Sequence, residues 1–273
     1  MLFSKEREKV ASATRAIREL MVRPRASGGG ETDLGGGLQV LARLAMSPLG
    51  FVPQAAARVP GMLRELGERR RAIPERRRLA PNPILTAQVL SASLRADEVL
   101  RERYLNLLAA SMDSATARRV HPAFVQVLRE ITPDEARIFS LFDTDGPYPV
   151  ITVQARYKFG GYTHTELRNF NLLGEQAGCD FPDRAPMYLD NLCRLGLTEI
   201  RAARVSEDAR MFKVVEQHPR VLEALARIEA RRPAELGPSD EPIVPDIQRK
   251  YLFVTAFGRQ FYDACEYRPE AES

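Results

Sequence analysis

The stretch Leu94-Arg95-Ala96-Asp97-Glu98-Val99-Leu100-Arg101-Glu102-Arg103-Tyr104-Leu105-Asn106-Leu107-Leu108-Ala109-Ala110-Ser111 decides how the chain is read. Leu100, Tyr104, Leu107 and Leu108 recur at helical spacing, and Met112 continues the stripe. Asp97 stands just before it, where a carboxylate can accept an orphan N–H of the first turn. Glu98, Arg101, Glu102 and Arg103 are assigned to the polar side. The stretch predicts one amphipathic helix packed within a helical body.

Neighbouring segments repeat the pattern. Asn82 followed by Pro83 is a cap with proline at the first helical position, and Leu85, Val89 and Ala92 are expected on one face. Pro122 opens a helix carrying Phe124, Val127, Leu128 and Ile131. Thr132-Pro133-Asp134-Glu135 reads as a capping box. Its helix is expected to run through Phe139 and Phe142 to a turn at Asp143-Thr144-Asp145-Gly146-Pro147. Asp143 and Asp145 are read there as turn formers rather than as an acid/base pair.

Past this turn the pattern changes. Residues 148–156 are strand-like, 171–178 and 185–195 helical, 197–201 and 251–255 strand-like, and 257–265 helical. Leu189, Leu192, Cys193 and Leu195 should face inward, with Gly196 ending the helix. The order is that of a winged helix with an insert over about 202–249, partly helical and then proline-rich. The predicted fold is mainly α with a small β component: a helical N-terminal region, then a winged-helix-like C-terminal α+β domain. Its parts are a short helix and Gly-rich flexible linker over 1–37, a helical domain with an Arg-rich segment over 38–131, and the winged-helix-like domain over 132–273.

Charge divides the chain. Residues 1–82 hold 16 Lys+Arg against 8 Asp+Glu, a net +8, whereas 132–273 hold 18 against 23, a net −5. An anionic partner is therefore sought first at Arg69, Arg70, Arg71, Arg76, Arg77 and Arg78. Solvated helix surface is the competing reading of these triplets. The apolar segment 38–66, broken by Pro48, Pro53 and Pro60, reads as a helix packed on the protein. With the arginines that follow, 38–78 is also read as a membrane-surface segment.

No apolar run approaches the ~18 residues of a membrane-spanning helix, and residues 1–8 are too charged for a signal peptide. Cys179, Cys193 and Cys265 are widely spaced, as expected of buried thiols in a cytoplasmic protein. Gly28-Gly29-Gly30 and Gly35-Gly36-Gly37 lack the Gly-Lys-Ser/Thr of a phosphate loop. His121, His164 and His218 have no partners at metal-ligand spacing. Tyr157, Phe159, Tyr162 and Phe170 are read as core or as a wing-like hairpin. No catalytic, cofactor-binding or metal residues are assigned, no cofactor is expected, and the chain is not expected to be an enzyme.

Five motifs in order resemble the bacterial Abi-alpha (abortive-infection alpha) family. They are Leu94 with Asp97-Glu98 and the run from Tyr104 to Ala109; Pro122 with Phe124; Thr132-Pro133-Asp134-Glu135-Ala136; Asp190-Asn191-Leu192 with Arg194-Leu195-Gly196-Leu197; and Thr255 with Phe257-Gly258 and Phe261. The resemblance covers roughly 80–265, with Tyr104 where the family usually shows Trp. It implies phage resistance by abortive infection and supplies no catalytic residues.

A winged helix invites a DNA-binding reading, with 185–195 as recognition helix. That segment carries only Arg184 and Arg194, beside Asp183 and Asp190, and its domain is acidic. Protein docking, to a partner that includes phage-made proteins, is therefore the favoured expectation. Nucleic-acid binding through Arg194, Arg201, Arg204, Arg249 and Lys250 is the alternative. Removing residues 1–80 is expected to leave a folded core.

Overall fold

A computed structural model describes residues 53–159, 163–203, 209–232 and 241–269. The expected helix near 5–22, the Gly-rich linker, the segment 38–52 and Arg204 lie outside these. The chain forms two compact units, one running to Pro133 and resuming at Gln260, the other Asp134–Arg259.

The first unit is helical: α1 (Pro53–Ala72), α2 (Pro83–Ser93), α3 (Glu98–Ser111) and α4 (Phe124–Glu130). Both expected caps form. The Asn82 side chain accepts from the N–H groups of Ile84 and Leu85, and Asp97 accepts from Leu100. Such caps are worth about 1 kcal/mol each. Residues Tyr104 to Ala110 of α3 are all buried, so the second half of this helix is enclosed, while Glu98 and Glu102 in its first half are exposed. Arg103, expected on the polar side, is buried too: its guanidinium donates to Val99 O and pairs with Glu266 at 3.0 Å. In α2 the inward face is Thr86, Val89, Leu90 and Ser93, rotated from the expected one. Ser93 Oγ donates to Met62 Sδ of α1 at 2.9 Å.

Met62, Leu66 and Ile73 are also core residues of the first unit. A cut at residue 80 would remove them, so 81–273 would lack part of this core. The carbonyl end of α1 and the turn after it belong to the core.

The chain continues through α5 (Pro133–Phe139) into β1 (Tyr148–Tyr157), β2 (Thr163–Phe170), α6 (Leu173–Gln176), α7 (Ala185–Arg194), β3 (Thr198–Ala202), α8 (Ala209–Glu216), α9 (Pro219–Glu229), β4 (Ile243–Val254) and α10 (Ala256–Cys265). The four strands form one antiparallel sheet in the order β2-β1-β4-β3, which makes the second unit α+β. Strand β4 is far longer than the 251–255 expected and begins inside the anticipated insert. Much of that insert is core. Phe212 and Val215 of α8, and Val221, Ala224 and Ile228 of α9, pack with Ile151, Val153, Ala155, Phe170 and Tyr251 on one side of the sheet. Helical spacing of these apolar residues gives each helix one inward stripe.

Strand β3 pairs with β4 only from Lys250 to Val254. Ala203 N donates to Arg249 O, so odd-numbered residues of β4 point their backbone groups toward that edge. Pro245 falls in this register and removes an N–H where no described strand pairs with β4, a common way to blunt a sheet edge.

Candidate functional site

The arginine triplets are placed by α1 and the 3₁₀ turn Glu75–Arg77. Arg77 lies against Asp113, whose side chain is fully buried: Nε donates to Oδ1 at 2.9 Å and Nη2 to Oδ2 at 2.5 Å. Asp113 also accepts from Tyr267 Oη at 2.6 Å and from Ala115 N. Burial alone would push this carboxyl up; the donors of Arg77, Tyr267 and Ala115 outweigh it and hold it below the usual carboxylate range. Arg69 Nε donates to Asn106 Oδ1 at 2.9 Å, and Asn106 Nδ2 donates to Cys265 O. Arg78 donates to the carbonyls of Ile73 and Arg71. The six arginines are thus not one outward patch. Arg71 and Arg76 are exposed, whereas Arg69, Arg77 and Arg78 tie the end of α1 to the rest of the unit. Alternating charge in sequence cannot distinguish these cases, because each partner lies more than thirty residues away or on the backbone.

In the second unit a buried carboxylate organises the segment before α7. Asp134, in the expected capping box, accepts from Asp180 N at 2.9 Å, Phe181 N at 3.0 Å, Tyr188 Oη at 3.0 Å and Arg137 Nη1 at 2.5 Å. Burial opposes its charge, and these four donors more than restore it, leaving its carboxyl below the usual range. Glu135 Oε1 accepts from Asn191 Nδ2 at 2.7 Å, on α7 itself. The Asp134-Glu135 pair carries a capping pattern in sequence, and nothing local to it signals partners more than forty residues away.

Helix α7 is therefore held firmly. Ala185, Tyr188, Leu189 and Leu192 are buried, and Gly196 ends it with a φ of 73°. Its other face is exposed: Arg184, Met187 (57% exposed) and Arg194, with Phe181 (53% exposed) just before it. The Arg184 guanidinium lies over the Phe181 ring at 4.7 Å. After α7 the chain reaches Thr255, whose Oγ1 donates to Gly196 O and accepts from Gly258 N. A side chain at Gly258 would come within 2.0 Å of Leu197 O, so only glycine fits this approach.

The alternative nucleic-acid contacts do not converge on one open surface. Arg249 is paired with Glu216 through two bonds at 2.6 and 3.1 Å, and Arg201 is paired with Glu199. Arg194 Nε donates to Asn191 Oδ1. Lys250 Nζ donates to Thr152 Oγ1 and Asn169 Oδ1. Lys250 and Tyr251 alternate along β4, so Lys250 and Arg249 face opposite sides of the sheet.

The environments of the three thiols disfavour the thiolate. Burial, then the Asp134 charge, pushes Cys179 up to about 11; burial also raises Cys193 and Cys265. Among the described residues no His, Cys, Asp and Glu cluster could hold a metal ion, and no helix is long and apolar enough to cross a membrane. Phe159 is exposed near the β1–β2 hairpin tip, whereas Tyr157 and Phe170 are buried; Tyr162 lies outside the described residues.

The family model described as "Abortive infection alpha" matches residues 55–265, most of the chain. No curated protein matches it. Among solved structures, an uncharacterized protein from the hydrocarbon-degrading marine bacterium Alcanivorax borkumensis SK2 is 20% identical, with a TM-score of 0.32 over 55% of this chain and 94% of that one.

Proposed function

Because the chain belongs to the abortive infection alpha family, we propose that it acts in phage defence by docking a protein partner rather than by catalysis. The observation that supports this is the outer face of α7. A helix pinned from beneath by Asp134, Glu135 and its own apolar stripe presents Phe181, Arg184, Met187 and Arg194 outward. Exposed aromatic, methionine and arginine side chains on rigid backbone are the side chains that anchor protein interfaces. In this reading the second unit is winged-helix-like, with α7 as the presented helix and β3 and β4 as its wing. Arginines flanking apolar contacts favour an acidic segment on the partner, phage-made or host-made.

Phage plating on cells expressing the full chain tests this. The Met187→Asp, Arg194→Glu double variant changes exposed side chains only and should fold normally by circular dichroism. Loss of protection with an intact fold supports docking through α7. Full protection by this variant sinks it.

A further inference from the structure

We propose that Lys250 and Arg168 form a receptor for a small phosphate-like oxyanion on the sheet face beside α7. The inference starts from an irregularity in β2. Ile151 pairs with Phe170 and Val153 with Leu167, so Arg168 and Asn169 together oppose Thr152. This is a β-bulge, and Asn169 sits in it with a φ of 48°, in the left-handed region, although it is buried. Bulges re-aim side chains, and asparagine is one of the few residues besides glycine that adopts this left-handed backbone readily.

The bulge aims Asn169 two ways. Its Oδ1 accepts from Lys250 Nζ at 3.3 Å, and its Nδ2 donates to Asp190 Oδ1 of α7 at 3.3 Å. Thr152 Oγ1 accepts from Lys250 Nζ at 3.0 Å and from Asn169 N at 3.2 Å. The ammonium is therefore positioned by two neutral oxygens, and its third proton has no acceptor among the described residues. The charged groups that act on it are Arg168 and Asp190. Arg168 is 70% exposed and holds Asp190 only loosely, at 3.5 Å. Arg168 pairs with Asp190 directly, whereas Lys250 reaches it only through the Asn169 amide. Burial, then Arg168, lowers the Lys250 pKa, and Asp190 restores it only in part. This cation is under-compensated where it stands, and an added anion would relieve it.

Lys250 is itself half-buried. Lys250 faces away from the core formed with α8 and α9. On its own face Val150, Thr152 and Leu252 are buried, and farther along the sheet Gln154 and Gln248 are bonded to each other at 2.8 Å on the exposed surface. Lys250 marks the margin between the covered and open parts of the sheet. An oxyanion with several oxygens can accept from an ammonium and a guanidinium together, which a monatomic anion does less well.

The site stands apart from docking through α7 and is tested without phage. Inorganic phosphate is titrated into the full chain by calorimetry, with ionic strength held constant by chloride. Saturable binding is expected, weakened about tenfold by Lys250→Met and by Arg168→Gln and unchanged by Arg201→Gln on the opposite face. Arg168 is exposed, so its variant keeps the test open if Lys250→Met fails to fold. A parallel arm uses phosphatidylglycerol vesicles. No saturable phosphate binding, binding unaltered in the Arg168 variant, or binding to vesicles alone would overturn the proposal.

Discussion

Asp113 in the helical unit and Asp134 in the α+β unit are both buried carboxylates that gather four donors each, but from different sources. Asp113 takes two of its bonds from one guanidinium, Arg77, and a third from Tyr267, 154 positions away. Asp134 takes two from backbone N–H groups, one from Tyr188 and one from Arg137, a guanidinium that it shares with Asp180. One is an ion pair sunk into a helical core; the other is a loop anchor. The difference shows where positive charge is used. In the first unit, arginines that look like a surface patch are spent partly on the fold. Around α7, three of the four donors to Asp134 are neutral and the fourth is Arg137, while Arg184 and Arg194 remain on the exposed side.

The comparison can be broken by substitution. Asp113→Ala strands the Arg77 cation and releases Tyr267, and should cost about 3–5 kcal/mol in denaturant unfolding. Asp134→Ala should cost less, about 2–3 kcal/mol, because Arg137 keeps Asp180 and the freed N–H groups lie near the surface. The reverse order would show that the loop anchor, not the ion pair, is the stronger hub. Tyr267→Phe removes one hydrogen bond to a charged acceptor and should cost about 1.5 kcal/mol. Arg71→Gln, on the exposed side of the same segment, should stay within about 0.5 kcal/mol.

Acid sharpens the same contrast. Both carboxyls are lower in the folded than in the unfolded chain, where Asp titrates near ~3.9. The stability they supply is complete above that value and is lost as pH falls through the depressed folded values. Melting temperature should therefore drop as pH is taken below about 4. Asp113→Asn and Asp134→Asn, less stable at pH 7, should each show a shallower drop. An unchanged slope in both variants would assign acid sensitivity to other carboxylates.

Local signals in the sequence were read well where the physics is local. Asn82 and Asp97 cap as expected, Gly196 ends α7, and the stripe from Leu100 to Leu108 is buried. Misreadings arose where a partner lies far along the chain. Arg103 and Arg77 resemble surface charges until Glu266 and Asp113 are found beside them. Asp134 and Glu135 carry a capping pattern that conceals long-range bonds to α7 and the segment before it. Strand β2 was missed because its Thr163-His164-Thr165-Glu166 start is polar, its first three residues exposed, with too few apolar residues to alternate. The insert was undervalued because its helices are separated from β4 by a proline-rich stretch, which hides that all three face one core.

On our proposal, the exposed face of α7, not the arginine triplets, is where this protein meets its partner. Phage plating should compare the full chain with two variants in one experiment: Met187→Asp with Arg194→Glu, and Arg71→Gln with Arg76→Gln. The first variant should lose protection while the second keeps it, both remaining folded. Protection kept by the first and lost by the second would contradict it.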